Sequence, residues 1–357
     1  QQRIEILKAL RKKVDLLILD EPTAVLTPKE TDDLLAVMRS LAKSGVGILF
    51  ITHKLREVMA VADRVVVLRN GRVAGSSSPQ ESDEEALAQL MVGRSVVLQV
   101  EKGEAEPQAA MLVIRDLQVN DDRKHLAVKG LNLEVRAGEI VGVAGVEGNG
   151  QRELVEAICG MRPRISGEVL VGGELTPDMR PHEVHAMGVS HIPEDREKHG
   201  LVTTYSIEDN LVLNQFDRPP FAKGWIRNVA ALEDNATRLV EEFDIRTPSI
   251  KTAASSLSGG NKQKVVVARE LSQETRVLVA AQPTRGVDVG SIEFIHKQLI
   301  SARDTGSAVL LVSAELDEVL SLSDRVAVMS GGKIVSILEA KDADRALVGR
   351  LMAGMSQ

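Results

Sequence analysis

The sequence predicts an α/β protein: a parallel-rich sheet with helices packed on it and an added helical subdomain, in tandem copies of which the first is incomplete. Three observations carry this reading. Short aliphatic runs alternate with amphipathic stretches, a pattern that places crossover helices between parallel strands. A segment near the start recurs near the end at a constant offset of 261 residues without a gap. In the second copy, a Gly-rich turn joins a strand to a helix, which is the setting of a phosphate-binding loop.

The repeat fixes the organisation. Leu17-Ile-Leu-Asp-Glu-Pro-Thr aligns with Leu278-Val-Ala-Ala-Gln-Pro-Thr, and Ile51-Thr-His-Lys-Leu-Arg-Glu-Val with Val312-Ser-Ala-Glu-Leu-Asp-Glu-Val. Asp63-Arg-Val then meets Asp324-Arg-Val, and Gln2 falls on Gln263. Residues 1–75 are therefore expected to form the C-terminal part of a first domain, running to its end. Residues 76–110 read as a linker, with helix possible over 84–91, and 111–357 as a complete second domain. A chain opening on Gln instead of Met fits the expectation of an N-terminal truncation.

In the first copy, residues 16–19 and 48–51 read as buried strands flanking an amphipathic helix over 28–42. In the second, 140–144, 277–280 and 308–312 read as strands, with helices over 151–159 and 263–271.

Composition narrows the class. The 357 residues carry a net charge of −7, which speaks against nucleic acid as the main partner. A single cysteine, Cys159, excludes an internal disulfide and fits a reducing compartment. No apolar run reaches the roughly 18 residues needed to span a bilayer as a helix. Aromatics make up 2% of the chain, so Val, Leu, Ile and Ala must build the cores.

The candidate site residues follow from position. Gly145-Val-Glu-Gly-Asn-Gly-Gln-Arg has the spacing of a phosphate loop, with Gly145, Gly148, Asn149 and Gly150 able to wrap an anion. However, Gln151 stands where a lysine would hold phosphate, and Arg152 where a hydroxyl would meet Mg²⁺. By itself the loop reads two ways: a close-packed strand–helix turn, or a weak nucleotide cradle with Arg152 toward a phosphate. The second copy also has Ala281 and Gln282 where a strand-end Asp-Glu would supply a Mg²⁺ carboxylate and a water-polarising base. It has Ala314 where a polar side chain would meet the γ-phosphate, and no aromatic over 112–134 to stack a base. These losses together point to a retired catalytic site.

The first copy keeps the chemistry. Asp20 at a strand end suits Mg²⁺, Glu21 suits the attacking water, and His53 after the next strand suits the γ-phosphate. The segment Leu257-Ser-Gly-Gly-Asn-Lys-Gln opens a helix, so Ser258, Gly259, Gly260 and Asn261 form an anion-binding N-terminus.

On these residues the chain resembles the ATP-binding cassette (ABC) ATPases, whose fold is that of a P-loop NTPase. Residues 257–263 match the signature sequence, Asp20 and Glu21 the Walker B end, and 24–27 and 285–288 the D-loops. His53 matches the switch histidine, 145–152 is a degenerate Walker A, and Glu194 replaces the Q-loop glutamine. His191-Ile-Pro-Glu-Asp-Arg and Ala281-Gln-Pro-Thr-Arg-Gly-Val-Asp make it similar to double-cassette importers of simple sugars and nucleosides. Residues 145–151 and 292–296 tilt it toward nucleosides.

The resemblance implies ATP and Mg²⁺, transmembrane permease subunits as direct partners and an extracytoplasmic solute-binding protein as an indirect one. It also implies a peripheral position on the cytoplasmic face of the membrane, and cassettes paired head to tail within or between chains. One live site would join a Walker A preceding the first copy to Asp20, Glu21 and His53, closed by residues 258–261 of the second. Residues 1–357 alone are expected not to hydrolyse ATP. The helical subdomain, about 200–256, would face the permease. It holds Tyr205, Phe216, Phe221, Trp225 and Phe243, either as exposed anchors or as a small core. The alternative is a soluble double-cassette ATPase acting on ribosomes or nucleic acid. That class is expected to keep both sites and carry a long basic linker.

Overall fold

The structure, a computed structural model, describes residues 14–23, 26, 28–69, 71–94, 100–176 and 180–354. It divides into two units, Gln1–Gln99 and Val100–Gln357. Gln1, Gln2 and the D-loop positions Ala24, Val25 and Thr27 lie outside the described residues.

In the first unit, β1 (Leu16–Asp20) pairs in parallel with β2 (Gly47–Ile51) through the helix α1 (Pro28–Lys43). After α2 (Leu55–Val61), β3 (Val65–Arg69) and β4 (Arg72–Ser77) form an antiparallel ribbon with a bulge at Val67/Leu68. The helix α3 (Glu84–Val92), capped by Asp83, packs against β3. The first unit thus takes in much of the stretch expected as linker, because Leu87 and Ala88 are fully buried there.

The strands expected to be buried bury one face only. Leu17 and Leu19 join Leu34, Leu35 and Met38 in a core against α1, while Ile18 stays 59% exposed. Leu16, Leu49, Ile51, Val66 and Leu68 are exposed as well.

The second unit begins with an antiparallel sheet of β5 (Ala110–Asn120), β6 (Leu126–Arg136), β8 (Ser166–Val171) and β9 (Glu174–Leu175). Its main sheet has the order β10-β13-β14-β7-β15-β16. These strands are Val189–Ile192, Val277–Ala281, Ala308–Ser313, Ile140–Gly145, Arg325–Ser330 and Lys333–Glu339. All pairings are parallel except β15 with β16, so the sheet is mixed. Val, Leu, Ile and Ala fill both of its faces, as the scarcity of aromatics requires.

Helices α4 (Gln151–Ile158), α5 (Pro181–Ala186), α8 (Gly259–Leu271), α9 (Val289–Asp304), α10 (Leu316–Leu322) and α11 (Arg345–Met352) belong to this unit. Between β10 and α8 lies the subdomain expected over 200–256, with α6 (Ile207–Asn210) and α7 (Val229–Glu242). It also contains a small hairpin, β11 (Ala222–Lys223) with β12 (Ile226–Arg227), turning at Gly224 with φ 62°. Residues 100–108 run along the second unit. Lys102 Nζ donates to the Ser323 carbonyl at 2.5 Å and to Asp324 at 2.9 Å, and the buried Arg303 donates to Asp324 and to Gly103 O.

The offset of 261 recurs in the geometry of the two units. Leu16 pairs with Gly47 as Val277 pairs with Ala308, and the bulge at Val67/Leu68 matches one at Val328/Met329. In the second unit β7 lies between β14 and β15; among the described residues of the first, no strand lies between β2 and β3.

Candidate functional site

At the end of β1, Glu21 adopts φ 43°, a left-handed conformation that costs energy for a residue with a side chain. Its backbone N–H donates to Ile51 O at 2.9 Å, tying the turn to the end of β2. The Glu21 carboxylate then meets His53 Nδ1 at 2.8 Å, both side chains being about one-third exposed. Two residues expected to act together are therefore in hydrogen-bond contact, reachable by solvent. Asp20 is exposed at the adjacent strand end. Thr23 donates to the buried Glu57 at 2.9 Å and so clamps the turn to the first turn of α2. These oxygen donors suit Mg²⁺, which commonly takes one or two carboxylates and completes its shell with water and phosphate oxygens.

The corresponding corner of the second unit keeps the shape and loses the charges. Gln282 has φ 48°, and its N–H donates to Val312 O at 2.7 Å. In place of the Glu–His contact, Gln282 Oε1 accepts from Ala314 N at 3.1 Å. Thr284 donates to the buried Glu318 at 2.7 Å, the counterpart of Thr23 and Glu57. His296 adds a contact at 3.0 Å to the same oxygen.

The degenerate phosphate loop leads into α4 through Gly150, at φ 103°. A Cβ there would lie 2.6 Å from Ala127 O, so packing as well as the left-handed backbone requires glycine. Gln151 folds back, donating to Val146 O at 3.0 Å. Asn149 is engaged by Gly331 N at 3.1 Å. Arg152 bonds Glu156 at 2.8 Å and stands 3.6 Å from Asp122, while Arg162 joins the same two carboxylates at 2.6 and 2.7 Å. The Glu156 bond raises the pKa of Arg152 further. The loop joins β7 to α4, and Arg152 is turned toward protein carboxylates instead of the loop. Gly145 and Gly148 complete the turn; a Cβ on Gly145 would meet Gln151 Nε2 at 2.3 Å.

The Ser-Gly-Gly-Asn segment forms a capped N-terminus as expected, but α8 starts four residues before the predicted 263. Ser258 caps α8, Asn261 Nδ2 donates to Ser258 Oγ at 2.9 Å, and Arg246 N donates to Asn261 Oδ1 at 2.8 Å. Gly260 is buried against the cap of α9, where a Cβ would meet Ser291 Oγ at 2.3 Å and Asp288 Oδ2 at 2.6 Å. Ser258 is exposed and Asn261 half-buried.

The five aromatics divide between the surface and the interior. Phe221 and Phe243 are buried, Phe243 packing edge-to-face with Phe294 at 6.0 Å. Tyr205, Phe216 and Trp225 are exposed, and Trp225 on the hairpin is bare at 103%. Ile226 and Val229 extend this apolar surface.

Sequence reasoning missed the buried Glu318 with its His296 contact, although the repeat of Thr23 and Glu57 as Thr284 and Glu318 signals the Thr–Glu pair. His191, noted in the sequence only as part of a motif, lies within β10, where burial pushes its pKa down to about 4.

The family profile described as ABC transporter matches residues 128–285. The chain is 47% identical to the nucleoside import ATP-binding protein NupA of Lactococcus lactis, across 99% of this chain and 70% of the relative. It is 45% identical to the guanosine import ATP-binding protein NupO of Bacillus subtilis, over 100% of this chain and 70% of that one. A ribose import ATP-binding protein, RbsA 1 of Rubrobacter xylanophilus, is 40% identical with the same coverage. Among solved structures, a nucleotide-free ATP-binding cassette from an ABC transporter superposes with TM-score 0.56 at 20% identity, covering 65% of this chain and 92% of that one. The ADP conformation of the cassette MJ1267 gives TM-score 0.56 at 18% identity, covering 69% and 96%. At these identities the structural likeness concerns the fold.

Proposed function

This chain belongs to the ABC transporter ATP-binding family, and from that premise we propose that it is the energy-coupling ATPase of an importer for nucleosides or simple sugars, with one catalytic site. ATP is the substrate, and hydrolysis drives solute import through a membrane permease. Nucleosides are favoured over ribose by the higher identity to NupA and NupO. The import names of these relatives speak against a ribosome- or nucleic-acid-directed ATPase.

The observation that carries the one-site reading is the Glu21–His53 contact at 2.8 Å, set against the neutral Gln282–Ala314 bond in its place in the second unit. Glu21 would polarise the attacking water, and His53 would hold Glu21 in place and meet the γ-phosphate. Asp20 would hold Mg²⁺, which neutralises phosphate charge. Ser258, Gly259, Gly260 and Asn261 would meet nucleotide phosphate as a capped helix N-terminus, and residues 145–152 would serve as packing.

We read the two units as tandem cassettes. The first matches the C-terminal part of such a domain, with no counterpart of the phosphate-loop strand or of the antiparallel sheet among the described residues. Supporting this, the exposed row Leu16, Ile18, Leu49, Ile51, Val66 and Leu68 matches, at the offset of 261, Val277, Val279, Leu310, Val312, Ala327 and Met329. Those residues lie in the core that β5, β6, β8 and α4 cover in the second unit.

The permease would contact Trp225, Phe216 and Ile226, where aromatic anchors suit a partner's groove. A solute-binding protein would act through the permease.

ATP hydrolysis by the assembled importer tests the site. Glu21→Gln should abolish turnover and Gln151→Ala should leave it near the parent rate; equal loss from both sinks the one-site reading. Crosslinking from position 225 to the permease tests the docking face, and transfer of the crosslink to the buried position 221 alone would refute it.

A further inference from the structure

Glu57 belongs to neither strand end of the first unit, yet its carboxylate is bonded to both. It lies in the first turn of α2 and is 5% exposed. Its Oε2 accepts from Thr23 Oγ1 at 2.9 Å and from Thr52 Oγ1 at 3.5 Å. Thr23 follows Glu21 by two residues, and Thr52 immediately precedes His53. One carboxylate oxygen therefore grips the turn that carries the proposed base and the loop that carries the histidine. The Thr52 hydroxyl also accepts from Lys54 N at 3.1 Å, which holds the loop on the far side of His53. The position of the carboxylate is itself fixed, because Glu57 N and Val58 N donate to Lys54 O at 3.0 and 3.3 Å and close the first turn of α2. The helix dipole favours a negative charge there.

The geometry held by these bonds is demanding. In the β1–β2 register Asp20 lies beside Ile51, which brings the strand ends together without setting how Glu21 and His53 face each other. Glu21 sits at φ 43°, a conformation that persists only where its surroundings over-determine it. Its N–H bond to Ile51 O fixes the backbone at one point, and the Glu57 clamp fixes the residues just beyond. The second unit keeps the frame: Thr284 bonds Glu318 at 2.7 Å, and Glu315 N donates to Ser313 Oγ at 3.0 Å. There the corner carries Gln282 and Ala314, so the frame holds no acid–base pair. The protein thus contains its own control for what the clamp does beyond supporting the fold.

We propose that Glu57 is a positioning residue for ATP hydrolysis: through Thr23 and Thr52 it sets the separation and orientation of Glu21 and His53. This rests on the reading that Glu21 and His53 carry out hydrolysis. Glu57 meets neither nucleotide nor attacking water in this scheme; it is buried and acts through two hydroxyls. Its effect belongs to the transition state, since a misplacement of about 1 Å can cost about 10²-fold in rate while ground-state binding is kept.

In the assembled importer, Thr52→Val keeps the shape and loses the hydroxyl, and should lower kcat about tenfold with KM for ATP held within about twofold. Glu57→Ala should lower kcat about a hundredfold. Glu57→Gln, whose amide oxygen accepts from both threonines, should stay within about threefold of the parent. In the chain itself, Thr52→Val should speed amide exchange at residue 21 while leaving Tm in place. Glu318→Ala, the matching cut in the second unit, should lower Tm and leave kcat within about twofold. A merely structural role predicts that Glu57→Ala and Glu318→Ala lower turnover alike, each in step with Tm. That pattern overturns the proposal, as does a loss in Glu57→Gln as deep as in Glu57→Ala, or a parental kcat in Thr52→Val. Glu21→Gln separates the two readings. If turnover survives it, the catalytic reading fails and the positioning role with it. If it abolishes turnover while Glu57→Ala and Thr52→Val leave kcat unchanged, the Glu57 assignment fails alone.

Discussion

Replacing His296 by Leu would give the second unit the side chain that the first carries at the same register, Leu35. In the native chain His296 Nε2 lies 3.0 Å and Thr284 Oγ1 2.7 Å from Glu318 Oε1, with all three residues buried. Burial by itself would raise the Glu318 carboxyl, but the His296 bond, with Ser313 and Thr284, outweighs it and holds the carboxyl below the ordinary glutamate value. Leu removes that support and leaves the carboxylate buried beside Thr284. A hydrogen bond to a charged group is worth about 1.5–3 kcal/mol net, and new apolar contact offsets part of it, giving a loss of about 1–2 kcal/mol. For a unit of this size that lowers Tm by roughly 2–8 °C.

The sign with pH follows from linkage. A carboxyl with a depressed native pKa stabilises the fold above its unfolded pKa, and the contribution is lost as pH falls through the native one. The gap between wild type and variant should therefore be full near neutrality and close as pH drops below the ordinary 4.5. Thermal melts by circular dichroism at about pH 7 and about pH 4 measure both quantities. Coincident melts at neutral pH, or a gap of the same size in acid, would refute the reasoning.

Gln151→Lys should not confer Mg²⁺-ATP binding on the second unit, because Arg152 stays held by Glu156 and Asp122 and positions 281 and 282 stay uncharged; saturable Mg²⁺-dependent heat in calorimetry would overturn this. Cys159 is buried and its thiol is pushed up in pKa by that burial, so at mildly alkaline pH it should react with Ellman's reagent only after unfolding. Trp225 is the single tryptophan and fully exposed, so native fluorescence should be that of a hydrated indole and shift to the blue when the permease binds.

What could be read in the sequence was whatever repeats or punctuates. The aliphatic runs of β13 and β14 and the Ser258 cap each have a local cause, so they were legible. So was the placement of Glu21 and His53 together, because strand ends joined by a crossover helix converge in a parallel sheet. The hairpin at Gly224 was not, since its paired stretches are two residues each and show no alternation. The attachment of α3 to the first unit depends on packing of Leu87 and Ala88 that only the folded chain reveals. The engagement of Arg152 by Asp122 depends on side-chain reach across 30 residues, which no short window of sequence contains, although its i,i+4 partner Glu156 lies within one. One-sided burial of β1 escaped for a different reason: an aliphatic run states what a strand can bury, not what is there to cover it.

The turn after β13 keeps its shape without its charges. The first unit braces this corner with a Glu21–His53 contact; the second braces it with a neutral amide, Gln282 to Ala314 N, and keeps the left-handed residue and the Thr–Glu clamp unchanged. The corner is therefore a frame that accepts either bracing, because the clamp and the left-handed turn hold it independently of what stands at the strand end. A Glu at 282 would set a carboxylate at that corner with no histidine opposite, since position 314 is alanine.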